Sequence, residues 1–427
     1  MESRSQRHEE LLDRAERAIG GAVTFKLPRQ QTAVIARGQG SKVYDLDGRE
    51  YIDYVLGSWP MLVGHAHPLV VEAVQRQVAL GSTYYSLNQP AIELAELLIE
   101  AAPCAEFVKY VSSGSEATFH AMRIARAYTG KPKILKFEGG FHGGSDYAQM
   151  SAHASRPTEY PTPIPDTAGI PSEVEAEVLV SRWNDVPLTE SLVTEHAHEL
   201  AAVICEPLQR SLVPAPGFLA ALREITQRHG VLLIFDEVVT GFRLAYGGAQ
   251  ERYGVVPDLA TYGKAIAGGY PLAAVAGRAE IMAVTDASRK GKAPYAQIGG
   301  TLSGNPVAAV AGLATLDILR QPGSYDRLYG TTERLKSGLE ELFSEHGVPA
   351  QVCGEGGLFQ VFFNDQPVTD YPGVLASDRA KGRRFGLECV DRGLWLNPGE
   401  KFYVSLAHDT EDVEKTLDIF ADALDAM

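Results

Sequence analysis

The chain has 427 residues, 45% apolar and 22% charged, an ordinary globular composition with length for two or three domains, which argues against a disordered, fibrous or coiled-coil protein. Its 39 basic and 54 acidic residues leave a net charge of −15, a poor balance for binding a phosphate backbone, so nucleic acid drops away as a partner. The four cysteines are scattered without a CxxC, so neither a disulfide framework nor a thiolate zinc site is expected.

In chain order, the first 21 residues read as a charged helical stretch without the apolar core of a signal peptide. The longest aliphatic runs, such as Val231 to Phe235, are far too short for a bilayer of about 30 Å. These features predict a cytoplasmic protein with no membrane partner. Residues 31–54 alternate and contain Asp47-Gly48, a hairpin signal. Val108 to Ser112 reads as a strand, Ser115 to Tyr128 as a helix stopped by Gly130, and Lys133 to Phe137 as the next strand. The Pro-, Ser- and Thr-rich stretch 151–171 reads as a long irregular loop. Leu200 to Cys205 and Val231 to Phe235 are continuous apolar runs around the helix Phe218 to His229. These βαβ units predict an α/β protein whose large domain holds a mostly parallel sheet flanked by helices, with ligands at the carboxyl ends of its strands. After Pro322 a helix, two short apolar strands and an amphipathic last helix predict a smaller α+β domain built from both chain ends. The expected division is 1–64 and 321–427 for the small domain and 65–320 for the large one.

Five segments carry chemistry. LIFDEVVTGFR delivers Asp236 and Glu237 to the end of a buried strand, where a carboxylate stays ionised only opposite a cation or strong donors. A protonated pyridine nitrogen is one such partner; a helix cap or a metal-ligating pair are others. TYGKAIAGG sets Lys264 in a glycine-bounded turn, where a desolvated amine turns nucleophilic. SSGSEAT puts Gly114 and Ser115 where a strand becomes a helix, an anion site made of free N–H groups. EGGFHGG sets Phe141 between glycine pairs, suited to lying on a flat ring, and GGTLSGNP offers the hydroxyl of Thr301 to a phosphate. The pairs His65/His67 and His196/His198 lack the HExxH arrangement and nearby cysteines, so no metal is expected.

Together, Glu206-Pro207, Asp236-Glu237-Val238, Gly263-Lys264 and Gly300-Thr301 resemble the class III, fold-type-I aminotransferases that use pyridoxal 5′-phosphate (PLP). GHAHP, SSGSEAT, KFEGGFHG, FDEVVTGFR, GGTLSGNP and SLAH bring the likeness closest to the glutamate-1-semialdehyde 2,1-aminomutases. The resemblance implies that Lys264 holds PLP as an internal aldimine and shuttles a proton, and that Asp236 pairs with the pyridinium nitrogen. It also implies Phe141 and Val238 on the two faces of the ring, Gly114 and Ser115 at the phosphate, Glu206 in the cofactor site, and Thr301 reaching the phosphate of a neighbouring subunit in a homodimer.

The departures from the aminomutase pattern lie near the substrate. The arginine expected after Gly20-Gly21 does not align; Lys26 or Arg29 stands nearest, and Arg210 is a second carboxylate anchor. Trp59 and Tyr85 are expected to line the pocket. A Pro-rich segment replaces a glycine-rich gating loop. The first expectation is therefore transamination between an amino acid or carboxylated amine and a keto or aldehyde acceptor, the second an intramolecular 2,1-shift of the amino group, and the third a silent PLP-binding protein.

Overall fold

The computed structural model describes residues 4–21 and 27–427 and divides into two compact units, one of residues 1–68, 323–367 and 376–427, the other of 69–322 and 368–375.

The first unit opens with the helix Gln6–Ala18, capped by the Ser5 side chain. Strands β1 (Ile35–Gln39), β2 (Lys42–Asp45) and β3 (Glu50–Asp53) follow as an antiparallel meander. The turn at Asp47-Gly48 is fixed by Asp45, whose carboxylate accepts from the N–H groups of Asp47 and Arg49, and Gly48 takes the left-handed conformation that glycine permits (φ +83°).

In the second unit seven strands form one sheet: β4 (Phe107–Val111), β5 (Lys133–Phe137), β6 (Val178–Ser181), β7 (Leu200–Cys205), β8 (Leu232–Asp236), β9 (Leu259–Tyr262) and β10 (Ala273–Gly277). Their order is β4-β10-β9-β8-β7-β5-β6. The pairings from β6 through β9 are parallel, and β10 runs antiparallel to both neighbours. The sheet is thus mostly parallel. Because β10 reverses against both β9 and β4, the carboxyl ends of β4, β5, β7, β8 and β9 share one edge. Strands β7 and β8 are buried at every position, which explains why they read as unbroken apolar runs. The helix Gly114–Thr129 covers one face, inserting Ala117, Ala121, Ile124 and Ala125 against Ile134, Ile204 and Ile234.

The remaining strands, β11 (Gln351–Cys353), β12 (Leu358–Phe362), β13 (Leu394–Trp395) and β14 (Phe402–Tyr403), belong to the first unit. There β13 joins the meander beside β3, while β11, β12 and β14 make a three-stranded sheet. The helices Ser324–Glu345 and Thr410–Asp425 complete the unit; the latter has a capping box in which Asp409 and Asp412 each accept from the other's N–H.

Candidate active site

Five chain segments meet at the shared strand edge. Asp236 is the last residue of β8, and Thr261 pairs with it in the parallel register of β9. The Thr261 hydroxyl and the Val238 N–H donate to Asp236 Oδ1 at 3.0 and 3.2 Å, and His142 Nδ1 lies 2.8 Å from Oδ2. Asp236 is 4% exposed, and with two hydrogen bonds accepted at Oδ1 and the imidazole nitrogen at Oδ2 its side chain has room for one more partner. Glu237, one residue past the strand end, turns to a different set of partners. It accepts from the Ala249 N–H, Gln250 and Thr240 at 2.6, 2.9 and 3.0 Å, and burial pushes its carboxyl above the usual range. Of the two adjacent acids, one therefore serves the edge and the other braces the neighbouring helix.

Lys264 follows β9 with φ +50°, a left-handed backbone that costs a non-glycine residue about 1–3 kcal/mol and concentrates at functional sites. Burial lowers its amine to about 8; the charges of Asp236 and Glu206 oppose that shift, and Arg243 and Arg210 add to it. At neutral pH an appreciable fraction is the free base, the form that attacks a carbonyl.

At the end of β4, Ser113 caps the helix Gly114–Thr129 by accepting from the Glu116 N–H. The loop after β5 lies against that helix start: Gly144 donates its N–H to Ser115 Oγ at 3.2 Å, and a Cβ on Gly143 (φ +91°) would come 2.5 Å from the same oxygen. A Cβ on Gly114 would meet Val238 Cγ1 at 2.8 Å. Backbone, hydroxyl and valine are so close that only glycine fits at both positions. Phe141 donates its N–H to the buried Glu206 at 2.9 Å, and the Arg210 guanidinium stands 5.6 Å from the centre of the Phe141 ring. Arg210 also has a positive φ, +60°.

These residues suit PLP group by group. A buried carboxylate with one acceptor position left matches a ring N–H, a desolvated amine matches an aldehyde, a helix N-terminus against glycines matches a phosphate, and Phe141 and Val238 offer flat and apolar surfaces. Thr301 is not part of this cluster. It is exposed and lines a separate cavity of about 240 Å³ with Thr83, Tyr84, Tyr85 and Asn88. Trp59 and Arg29 belong to the first unit. Trp59 (φ +87°) stacks on Tyr403 with ring centres 4.6 Å apart. Arg29 is bound by Glu9, Asp13 and Glu16 at 2.9, 2.6 and 2.6 Å, the Glu9 hydrogen bond doing most to raise its pKa further. A guanidinium already holding three carboxylates is a poor anchor for a fourth, which tells against the expectation for Arg29. Lys26 lies outside the described residues.

Sequence reasoning missed His142, although it sits inside the quoted EGGFHGG. Phe141 drew attention as a ring, and nothing local indicated that its neighbour reaches an acid 94 residues away.

The chain matches the family described as Aminotransferase class-III over residues 26–424. A glutamate-1-semialdehyde 2,1-aminomutase of Desulforudis audaxviator is 42% identical over 415 residues, covering 96% of this chain and 92% of that one. An omega-transaminase from Sphaerobacter thermophilus superposes with a TM-score of 0.93 at 40% identity, covering 99% and 98% of the two chains. A glutamate-1-semialdehyde-aminomutase from Pseudomonas aeruginosa PAO1, solved in complex with PMP, gives 0.88 at 26% identity, with 98% and 94% covered. The fold is the type I fold of PLP enzymes, and a match across nearly the whole length to a family of enzymes leads to one conclusion: the chain belongs to the class-III aminotransferases.

Proposed function

We propose that this class-III enzyme uses PLP to move an amino group within glutamate 1-semialdehyde, as a 2,1-aminomutase. The curated relatives carry that name over almost their full lengths, which favours the intramolecular reading over the intermolecular one expected first from the sequence. The observation that carries the chemistry is the convergence of Asp236 and Lys264 on one strand edge, with the amine lowered to about 8. PLP, once bound, supplies an electron sink for the carbanion that amino transfer requires.

The chain's own residues do the rest. Asp236, braced by His142 and Thr261, keeps a proton on the ring nitrogen. Lys264 Nζ would hold the cofactor covalently at rest and, once released, would serve as the base that takes the proton from the substrate carbon bearing the amino group. Gly114, Ser115 and the adjoining glycines hold the phosphate, while Phe141 and Val238 hold the ring. Glu206 fixes the Phe141 backbone. Arg210, beside Phe141, takes the substrate carboxylate in place of Arg29, its planar fork matching two oxygens. The enzyme works as a homodimer in which Thr301 and Tyr85 of one subunit serve the phosphate and pocket of the other. The exposed Leu80, Tyr85 and Leu87 support a covered face there.

A second reading, transamination between two substrates, is favoured by the engagement of Arg29 with three acids and by the likeness to an omega-transaminase. Incubating the PLP-loaded enzyme with glutamate 1-semialdehyde alone separates the two. Formation of 5-amino-4-oxopentanoate without a co-substrate supports the mutase; no product there, with amino exchange between an amino acid and a keto acid, supports the transaminase.

A further inference from the structure

Thr118 sits one turn into the helix Gly114–Thr129, whose first residues form the cradle suited to a phosphate. Its side chain is 1% exposed, so its hydroxyl has to find a partner inside the protein. Three carbonyls are in reach: those of Gly114 and Ser115 in its own helix at 3.2 and 3.1 Å, and that of His142 at 2.5 Å. A helical threonine ordinarily turns its hydroxyl back on its own helix. Here the two helical carbonyls have the N–H groups of the helix ladder to accept from, while the His142 carbonyl belongs to a loop and lies nearest. The single hydroxyl proton therefore goes to His142.

That bond matters because of what the same residue does with its side chain. The His142 imidazole is 1% exposed, and its Nδ1 lies 2.8 Å from Asp236 Oδ2. The other carboxylate oxygen is set independently, by the Thr261 hydroxyl and the Val238 N–H. Two further contacts bring the same loop against the same helix: the Gly144 N–H donates to Ser115 Oγ, and Gly143 leaves no room for a Cβ beside Ser115.

We propose that Thr118 is a positioning residue that sets the spacing between the two ends of the cofactor site. Its hydroxyl pins the His142 backbone, and the pinned imidazole fixes Asp236 Oδ2. Gly114 and Ser115, four and three residues earlier on the same helix face, take the phosphate. One helix start thus gauges the phosphate end and the ring-nitrogen end before any cofactor arrives, the kind of preorganisation that a precise site needs. Only a hydroxyl meets the requirement. A methyl carbon approaches a carbonyl oxygen to no less than about 3.3 Å, so valine at this position would push the loop away, and alanine would leave it slack. The proposal rests on Asp236 being the partner of the ring nitrogen; the bond from Thr118 to His142 does not.

Three variants of the full-length enzyme test this. Thr118→Val and Thr118→Ala remove the hydroxyl with opposite effects on space, and Thr118→Ser keeps it. Both hydroxyl-free variants should bind PLP at least about fivefold more weakly, read by titrating apoenzyme and following the visible band. Their kcat should fall at least about fivefold with KM within about twofold, and Thr118→Ser should recover most of both losses. A merely structural threonine would lower the melting temperature and leave cofactor binding and kcat unmoved. Loss in Thr118→Val alone, which marks a steric push, or equal loss in Thr118→Ser overturns the proposal. In a His142→Ala background Thr118→Ala should add less than about twofold, because residues acting along one path do not add; a full fivefold there overturns the route through the imidazole. Asp236→Asn tests the premise. If its visible band and kcat match the wild type, the ring-partner reading falls and the proposal with it. If it is impaired while both hydroxyl-free variants are not, only the positioning role falls.

Discussion

The Lys264 amine is the residue-scale feature with the most direct consequence for rate. An ordinary lysine is almost wholly protonated at neutral pH, whereas burial lowers this one to about 8. The rate at which apoenzyme regains its visible cofactor band should therefore rise with pH to a midpoint near 8; a midpoint above 10 would mean the amine is solvated. Lys264→Ala should still take up the cofactor, held by phosphate and ring contacts, while kcat falls at least about a thousandfold with the loss of both nucleophile and proton carrier. A variant that turned over normally would remove the catalytic assignment.

At the scale of elements, the strand-turn-helix from β4 and the loop after β5 act as one unit because Gly143 rests on Ser115. Gly143→Ala would set a Cβ against that side chain from a left-handed backbone. It should lower stability by about 1–3 kcal/mol and weaken cofactor binding, measured by urea unfolding and by cofactor titration. The segment 151–171, legible only as irregular, is firmly anchored. Glu138 accepts from the Thr158 N–H and the Tyr160 hydroxyl, and Asp166 from the N–H groups of Ala152 and His153, while just ahead of the segment Lys136 donates to the carbonyls of Ala148 and Met150. Strands such as β7 and β8 were readable because burial on both faces writes itself into a local apolar run. These anchors, like His142 and the acid cluster around Arg29, depend on partners that no local pattern displays. Among the described residues the buried Lys136 amine is hydrogen-bonded to carbonyls, not to a carboxylate, and desolvation lowers it to about 8 against the opposing charges of Asp166 and Glu206. Its unfolded form binds a proton up to about pH 10.4. Between those values the unfolded chain carries the extra proton, so this residue's contribution to stability rises with pH; below pH 8 the cost of burying the charge is complete. Relative to Lys136→Met, the wild type should thus gain on the order of 3 kcal/mol between pH 8 and 10.5 in urea unfolding. A pH-independent difference would show the amine to be hydrated.

Across the whole molecule, an exposed apolar stretch belongs to the second unit: Tyr85 and Leu87 are each 87% exposed and Leu80 75%. Light scattering after gel filtration should give twice the 46.1 kDa chain mass, and the double variant Tyr85→Asp, Leu87→Asp should move the population toward monomer. If that monomer kept full activity, the proposed sharing of Thr301 and Tyr85 between subunits would fail.

The pairing of β3 with β13 sets a timetable for biosynthesis. Ile52 lies beside Leu394 in that register, so the strand made early must wait for one made near the end of translation. At about 5–20 residues per second the delay is on the order of tens of seconds. During it the β3 edge has no neighbour on that side, and a nascent chain with such an edge invites chaperone capture or association with another ribosome's product. Slower elongation late in the message should therefore lower the yield of native enzyme more than the same slowing near its start.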